Sequence, residues 1–235
     1  MSADNNVIVY LIPTVLDEQG LNALPAYITD AVKACRVFFV ENEKTARRFL
    51  KRIWKEMVID DYEWHEIHKA EEAGRSVFLE ALKKNKTIGI ISEAGCPGIA
   101  DPGQLLVEAA QSAGAQVKPL VGPNSIILAL MASGMNGQHF RFVGYLPIEQ
   151  PARIKAIKSL EQEAMTRRCT QIFIETPYRN NQMLDTLIKT CNPITRLCVA
   201  ASLTSPEEYI KTRSISEWKK EKPDLHKKPA IFLIG

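Results

Sequence analysis

The sequence predicts an α/β protein with mainly parallel or mixed sheets, divided into two domains at 1–137 and 138–235. Three observations predict it. Short β-branched runs alternate with longer segments of helical period, the signature of βα units. One run, Thr87–Ser92, is apolar throughout, as a strand covered on both faces requires. The stretch from Gly134 to Pro151 then interrupts the pattern with Gly137, Gly144 and Pro147, which marks a domain junction.

Val7–Ile12 is β-branched and apolar and opens the fold as a strand. Leu24–Cys35 has helical spacing, and the aromatic run Arg36–Val40 is a strand. Thr45–Lys55 is an amphipathic helix with Ala46, Phe49, Leu50 and Ile53 on its core stripe. Tyr62–Ile67 is a short strand and Glu71–Lys83 a helix. After the buried strand Thr87–Ser92 come a helix over Gly103–Ala113, a strand over Gln116–Leu120 and an apolar helix over Ser125–Ala132. Beyond the junction, helices over 152–165 and 180–189 alternate with strands over Thr170–Glu175 and Arg196–Ala200. A hairpin strand over Glu207–Lys211, a short helix over Ser216–Lys220 and a final strand over Ala230–Ile234 complete the second domain.

Composition removes several classes. The 235 residues are 46% hydrophobic and 24% charged, which excludes disorder, collagen and coiled coil as the main state. The longest apolar run, Ile126–Ala132, has seven residues; a membrane-spanning helix needs ~20. Met1–Asn6 shows no secretory pattern, so the expectation is a cytoplasmic protein. The net charge of +3 is too small to require a nucleic-acid partner, so that case must come from local clusters. Cys35, Cys96, Cys169, Cys191 and Cys198 are odd in number, scattered and without a CxxC, which fits reduced thiols. His65 and His68 stand three apart among acids, without the further ligand spacing a metal needs, and no metal is expected.

Eight of the twelve glycines fall between Gly95 and Gly144. The densest stretch, Ser92–Gly103, lies between a buried strand and a helix, with Asp101 as a natural N-cap and Pro102 at the first helical position. Val121–Ser125 is a second such turn, with Asn124 as N-cap. Ligands of open α/β sheets sit beyond the carboxyl ends of strands. A βα turn needs only ~2–6 residues, so the longer loop points to a ligand. There is no GxxxxGK[ST] and no GxG, hence no pyrophosphate cradle.

At these residues the sequence resembles a known family. Ser92–Gly103 (SEAGCPGIADPG) is similar to the S-D-A-G-T-P-x-x-x-D-P-G signature of the tetrapyrrole methylases, and most of all to the branch of small-subunit ribosomal RNA cytidine 2′-O-methyltransferases. Tyr10–Thr14, Val40–Arg47, Pro119–Ser125, Gly144–Pro147 and Ile174–Arg179 resemble further blocks of that branch in order and spacing. The resemblance implies two α/β domains with S-adenosylmethionine in the cleft between them, and a homodimer. It places cofactor contacts on Pro13 and Leu16, on Gly95, Cys96, Pro97 and Ala100, and on Ser125 and Ile126. In the second domain it places them on Glu175, Thr176, Ala201, Pro229 and Ala230. This chain departs from the branch in its first loop, in the extra residues before Thr45 of the Val40–Arg47 block, in Cys96 where the family has Thr, and in ending at Gly235, where longer members continue.

Methyl transfer to a ribose hydroxyl needs a base. Glu93 is the first candidate, beside Glu41, Lys44 and Glu175; the alternative for Glu93 is a carboxylate that orders the loop, and for Glu41 an acid that favours a helix dipole. Arg179 is a further functional cation or a structural ion-pair partner. Lys44, Arg47, Arg48, Lys51, Arg52 and Lys55 share one helix face, either tracking RNA phosphates or simply solvated. The leading reading is an S-adenosylmethionine-dependent methyltransferase of ribosomal RNA at a ribose 2′-hydroxyl. The alternatives are methylation of a tetrapyrrole or other small molecule, and an RNA-binding relative without turnover.

Overall fold

The computed structural model describes residues 7–67 and 71–235, with the side chains of 71–73 left aside. His68 lies outside the described residues. The chain forms two compact units, 1–123 and 124–235, each with its own sheet and core.

In the first unit, β1 (Ile8–Ile12), β2 (Val37–Val40), β3 (Glu63–Glu66), β4 (Ile88–Ile91) and β5 (Gln116–Pro119) form one parallel sheet in the order β3-β2-β4-β1-β5. Alternation sorts its side chains. Val9, Val37, Phe39, Ile88 and Ile90 pack with Phe78 and Leu82 of α3 (Glu71–Lys83) and Leu106 and Ala109 of α4 (Gln104–Ser112). Ile12, Phe38, Val40 and Ile91 pack with α1 (Ile28–Ala34) and with Ala46, Phe49 and Leu50 of α2 (Glu43–Ile53). Both faces are therefore covered, which is why β2 and β4 are buried at every position. Trp64 stacks on Phe38 with ring centroids 4.9 Å apart, and its indole N–H donates to the Ile59 carbonyl at 3.1 Å, so it packs half-buried against the core.

The second unit contains α5 (Ser125–Ser133), β6 (Phe140–Tyr145), α6 (Gln150–Arg167), β7 (Thr170–Ile174), α7 (Asn180–Thr190), β8 (Arg196–Ala201), β9 (Tyr209–Ser214), α8 (Ile215–Trp218) and β10 (Ala230–Ile234). Its sheet is mixed, in the order β6-β7-β10-β8-β9. β6 and β7 are parallel, and β10 runs antiparallel to both of its neighbours. Phe173, Val199, Phe232 and Ile234 meet Ile157 and Leu160 of α6, Met183 and Leu187 of α7 and Trp218 of α8. Among the described residues no helix is long and apolar enough to cross a membrane.

Two expectations are corrected. The chain divides at 123/124 rather than 137/138, because α5 packs against β8, β9 and β10, and its end is tied there by the Thr212 hydroxyl donating to the Ser133 carbonyl at 2.8 Å. The helix expected over Leu24–Cys35 begins only at Ile28, since residues 24–27 turn before it.

Candidate functional site

The carboxyl edge of the first sheet gathers three loops. Pro13 and Thr14 leave β1, residues 92–103 leave β4, and residues 120–123 leave β5. They are pinned to one another. The Thr14 N–H donates to the Gly95 carbonyl at 2.8 Å, and the Thr14 hydroxyl donates to the Ser92 carbonyl at 3.3 Å. The Cys96 thiol lies 3.5 Å from the Pro123 carbonyl and 3.7 Å from that of Gly122. A Cβ on Gly122 would fall 2.2 Å from Pro13 Cβ, so this close approach requires glycine.

The long loop turns through the left-handed region at Gly95, Gly98 and Gly103, and also at Ala100, with φ of +61°. That path overturns one expectation. The cap of α4 is Gly103, not Asp101, and the helix starts at Gln104. Asp101 instead faces acids. Burial, the Glu41 charge and that of Glu93 push its carboxyl up to about 6, against the opposing influence of the nearby Ser92 hydroxyl. Asn124 does cap α5, its side chain accepting from the Ile127 N–H at 3.1 Å.

Glu41 and Glu93 take different roles. Glu41 Oε2 accepts the Glu93 N–H at 3.0 Å and so orders the loop. Glu93 is exposed, and its carboxylate accepts the Thr45 hydroxyl. It lines a cavity of about 190 Å3 with Thr14, Ser92, Thr45, Arg48 and Arg52. Glu18 lines it too, so two acids and two guanidiniums meet beside the kinked loop, with Arg52 donating to the Glu18 carbonyl. Sequence reasoning does not bring Thr14 or Thr45 to this site; hydroxyls that bond residues far along the chain leave no local pattern.

The basic face of α2 divides in the same way. Lys44 and Arg48 are exposed. Arg47 pairs with Glu43 and lies 5.0 Å over the Trp64 ring. Lys51 donates to the carbonyls of Lys55 and Met57, closing the chain that leaves the helix.

In the second unit, antiparallel pairing brings the start of β10 to the ends of β7 and β8. Ala230 stands opposite Ala201, and Ile231 opposite Ile174. Glu175, Thr176, Ala201, Pro229 and Ala230 therefore collect at one edge. The Ser202 N–H donates to the Pro229 carbonyl at 2.9 Å. Glu175 is 4% exposed. Its Oε1 accepts from the Thr176 N–H at 2.7 Å and from Arg179 at 2.7 and 3.1 Å. Its Oε2 is buried without a partner. Arg179 is thus the ion-pair partner of a buried acid. Ser125 and Ile126 form the first turn of α5, with Ile126 buried.

The five cysteines form no disulfide, and no three metal-ligating side chains cluster among the described residues. His65 instead packs on Phe39, with ring centroids 5.0 Å apart.

Comparison with known proteins gives a family. The family model described as Tetrapyrrole (Corrin/Porphyrin) Methylases matches residues 23–218. A ribosomal RNA small subunit methyltransferase I from Buchnera aphidicola subsp. Schizaphis graminum is 34% identical over 172 residues, which cover 72% of this chain and 59% of that protein. The chain thus spans less than two thirds of that relative. The protein of the same name from Vibrio cholerae is 28% identical over 97% of this chain and 76% of its own. Among solved structures, the methyltransferase CobJ superposes with a TM-score of 0.63 at 17% identity, covering 98% of this chain and 93% of that one, a likeness of fold.

Proposed function

Because the chain belongs to the tetrapyrrole methylase family, we propose that it is an S-adenosylmethionine-dependent methyltransferase acting on small-subunit ribosomal RNA, at a ribose 2′-hydroxyl. The observation that carries this reading is the carboxyl edge of the first sheet, where a kinked loop, the Glu93 carboxylate and the Arg48 and Arg52 guanidiniums meet. The relatives named as ribosomal RNA small subunit methyltransferase I support the acceptor class.

The residues present fit the cofactor. Glu175 Oε2 is a buried acceptor lacking a donor, which a ligand N–H or O–H would complete. Ala201, Pro229 and Ala230 offer backbone and apolar surface suited to an adenine. Pro13, Leu16, Gly95, Cys96, Pro97 and Ala100, together with Ser125, Ile126 and Thr176, complete the proposed binding set. S-adenosylmethionine supplies, when bound, a methyl group already activated as a sulfonium. The protein's share is to orient and to exclude water, and orientation is worth ~7–11 kcal/mol. Glu93 takes the hydroxyl proton, a contribution of ~10²–10⁴-fold. Glu41 positions Glu93 through its backbone N–H, and Arg179 holds Glu175 in place. Lys44 and Arg48 meet RNA phosphates, with Arg47 and Lys51 holding the helix that presents them. The same reading makes the protein a cytoplasmic homodimer; sedimentation analysis checks the dimer and cell fractionation the location.

Calorimetry with S-adenosylmethionine and transfer of a labelled methyl group to small ribosomal subunits test the proposal. Saturable binding and labelling of ribose 2′-oxygens are expected. Absence of binding at millimolar concentration defeats it. Gly95→Val, which forces a side chain into a φ of +77° and against Leu16 and the Pro123 carbonyl at 3.2–3.3 Å, should abolish binding.

A further inference from the structure

The outer helices of the second unit hold a cavity that the proposed reaction does not use. It measures about 420 Å3 and is lined from α6 by Gln150, Arg153 and Lys158, and from α7 by Gln182, Asp185 and Lys189. Arg153 is 2% exposed, and its Nε is buried with no hydrogen-bond partner. No carboxylate pairs with it among the described residues. Asp185, the acid on the wall, is engaged by Lys222. Burying the Nε–H of an arginine with neither an acceptor nor a counter-charge is costly, because that group has lost water and gained nothing in exchange. Two lysines on the same wall leave the cavity positive, and two glutamine amides add donors.

From this we infer that the α6–α7 cavity is a binding site for a compact phosphate-class oxyanion, which Arg153 grips from below while Lys158 and Lys189 close over it. A guanidinium fork matches two oxygens of a tetrahedral anion. Its depth selects the ligand. An inorganic phosphate or the terminal phosphoryl group of a small phosphomonoester reaches a side chain this buried, whereas an internal phosphodiester, flanked by a sugar on each side, is held at the rim. The inference is independent of the methyl-transfer site, since it uses none of its residues.

The test titrates the full chain with sodium phosphate, ribose 5-phosphate, dimethyl phosphate and sodium chloride at matched ionic strength, reading Tm and heat of binding. Phosphate, ribose 5-phosphate or both should give a saturable heat of binding and raise Tm with the logarithm of concentration, by about 4 °C at tenfold excess over Kd. Which of the two binds tells whether the ligand is the free ion or a monoester. Dimethyl phosphate and chloride should give no saturable heat and equal, small Tm changes. Arg153→Met should remove the response, and Lys158→Gln with Lys189→Gln should weaken Kd about tenfold. Equal responses to chloride and phosphate, or an unchanged response in Arg153→Met, would overturn the site. If Arg153→Met does not fold, the surface double variant decides, and an unaltered Kd there refutes the inference.

Discussion

Asp101 shows how one carboxyl can record its neighbours. Its pKa of about 6 is set first by burial, then by the nearby Glu41 and Glu93 charges. The folded value lies above the ordinary 3.8, so between the two the folded chain holds a proton that the unfolded chain has lost. The resulting stability is fully present below about pH 4 and is lost as pH rises through about 6. Asp101→Asn, which mimics the protonated form, should therefore match the parent near pH 4 and exceed it at pH 8. The gain should be about 1 kcal/mol after discounting for partial exposure and solvent screening. Thermal unfolding across that range checks it, and a constant offset would deny the coupling. Gly122 makes a simpler prediction. Its Cβ position lies 2.2 Å from the rigid Pro13 ring, so Gly122→Ala must push two loops apart. Overpacking of this kind costs ~1–3 kcal/mol, to be read as a fall in Tm together with weaker S-adenosylmethionine binding.

The elements differ in how far their ends can be foreseen. Asn124 caps α5 as expected because the bond is local: a side-chain oxygen reaches an N–H three residues ahead in any context that starts a helix there. The start of α4 escapes the same reasoning, because Asp101–Pro102 satisfies that local rule without capping the helix. The loop instead follows left-handed turns at Gly98, Ala100 and Gly103. Those turns belong to a path fixed by packing and by neighbouring loops, which no short window contains. The stripe on α2 is visible by its period, but its members do different things. Lys51 ties down the backbone after the helix, whereas Lys44 and Arg48 are exposed. Lys51→Ala should thus lower stability by ~1 kcal/mol with little effect on RNA affinity. Lys44→Glu with Arg48→Glu should leave Tm near the parent value and weaken RNA binding, lowering the salt slope by ~0.7 for each phosphate no longer neutralised. Filter binding across a salt series, beside thermal melts, separates the two classes.

At the scale of the whole molecule, the sequence carries the two-sheet architecture through strand patterning. Continuous apolar runs such as Ile88–Ile91 and Ala230–Ile234 are buried at every position. It carries less of the boundary, because the glycines and prolines after residue 134 mark a break in the pattern, whereas the division depends on which sheet α5 covers. Arg153 is equally hidden: an arginine on an amphipathic helix reads as solvent-facing until the neighbouring helix is in place. Each unit keeps a core of its own, with Phe232 stacked on Phe173 at 5.7 Å in the second and Phe78 set edge-on to Phe39 at 5.1 Å in the first. Damage to one core should therefore be felt there first. Phe232→Ala removes a ring that is wholly buried between β7 and β8 and should cost ~3–5 kcal/mol. Hydrogen exchange should then quicken in the amides of β7, β8 and β10 while those of β1, β2 and β4 keep most of their protection. Equal loss in both sheets would mean that the two cores open as a single cooperative body.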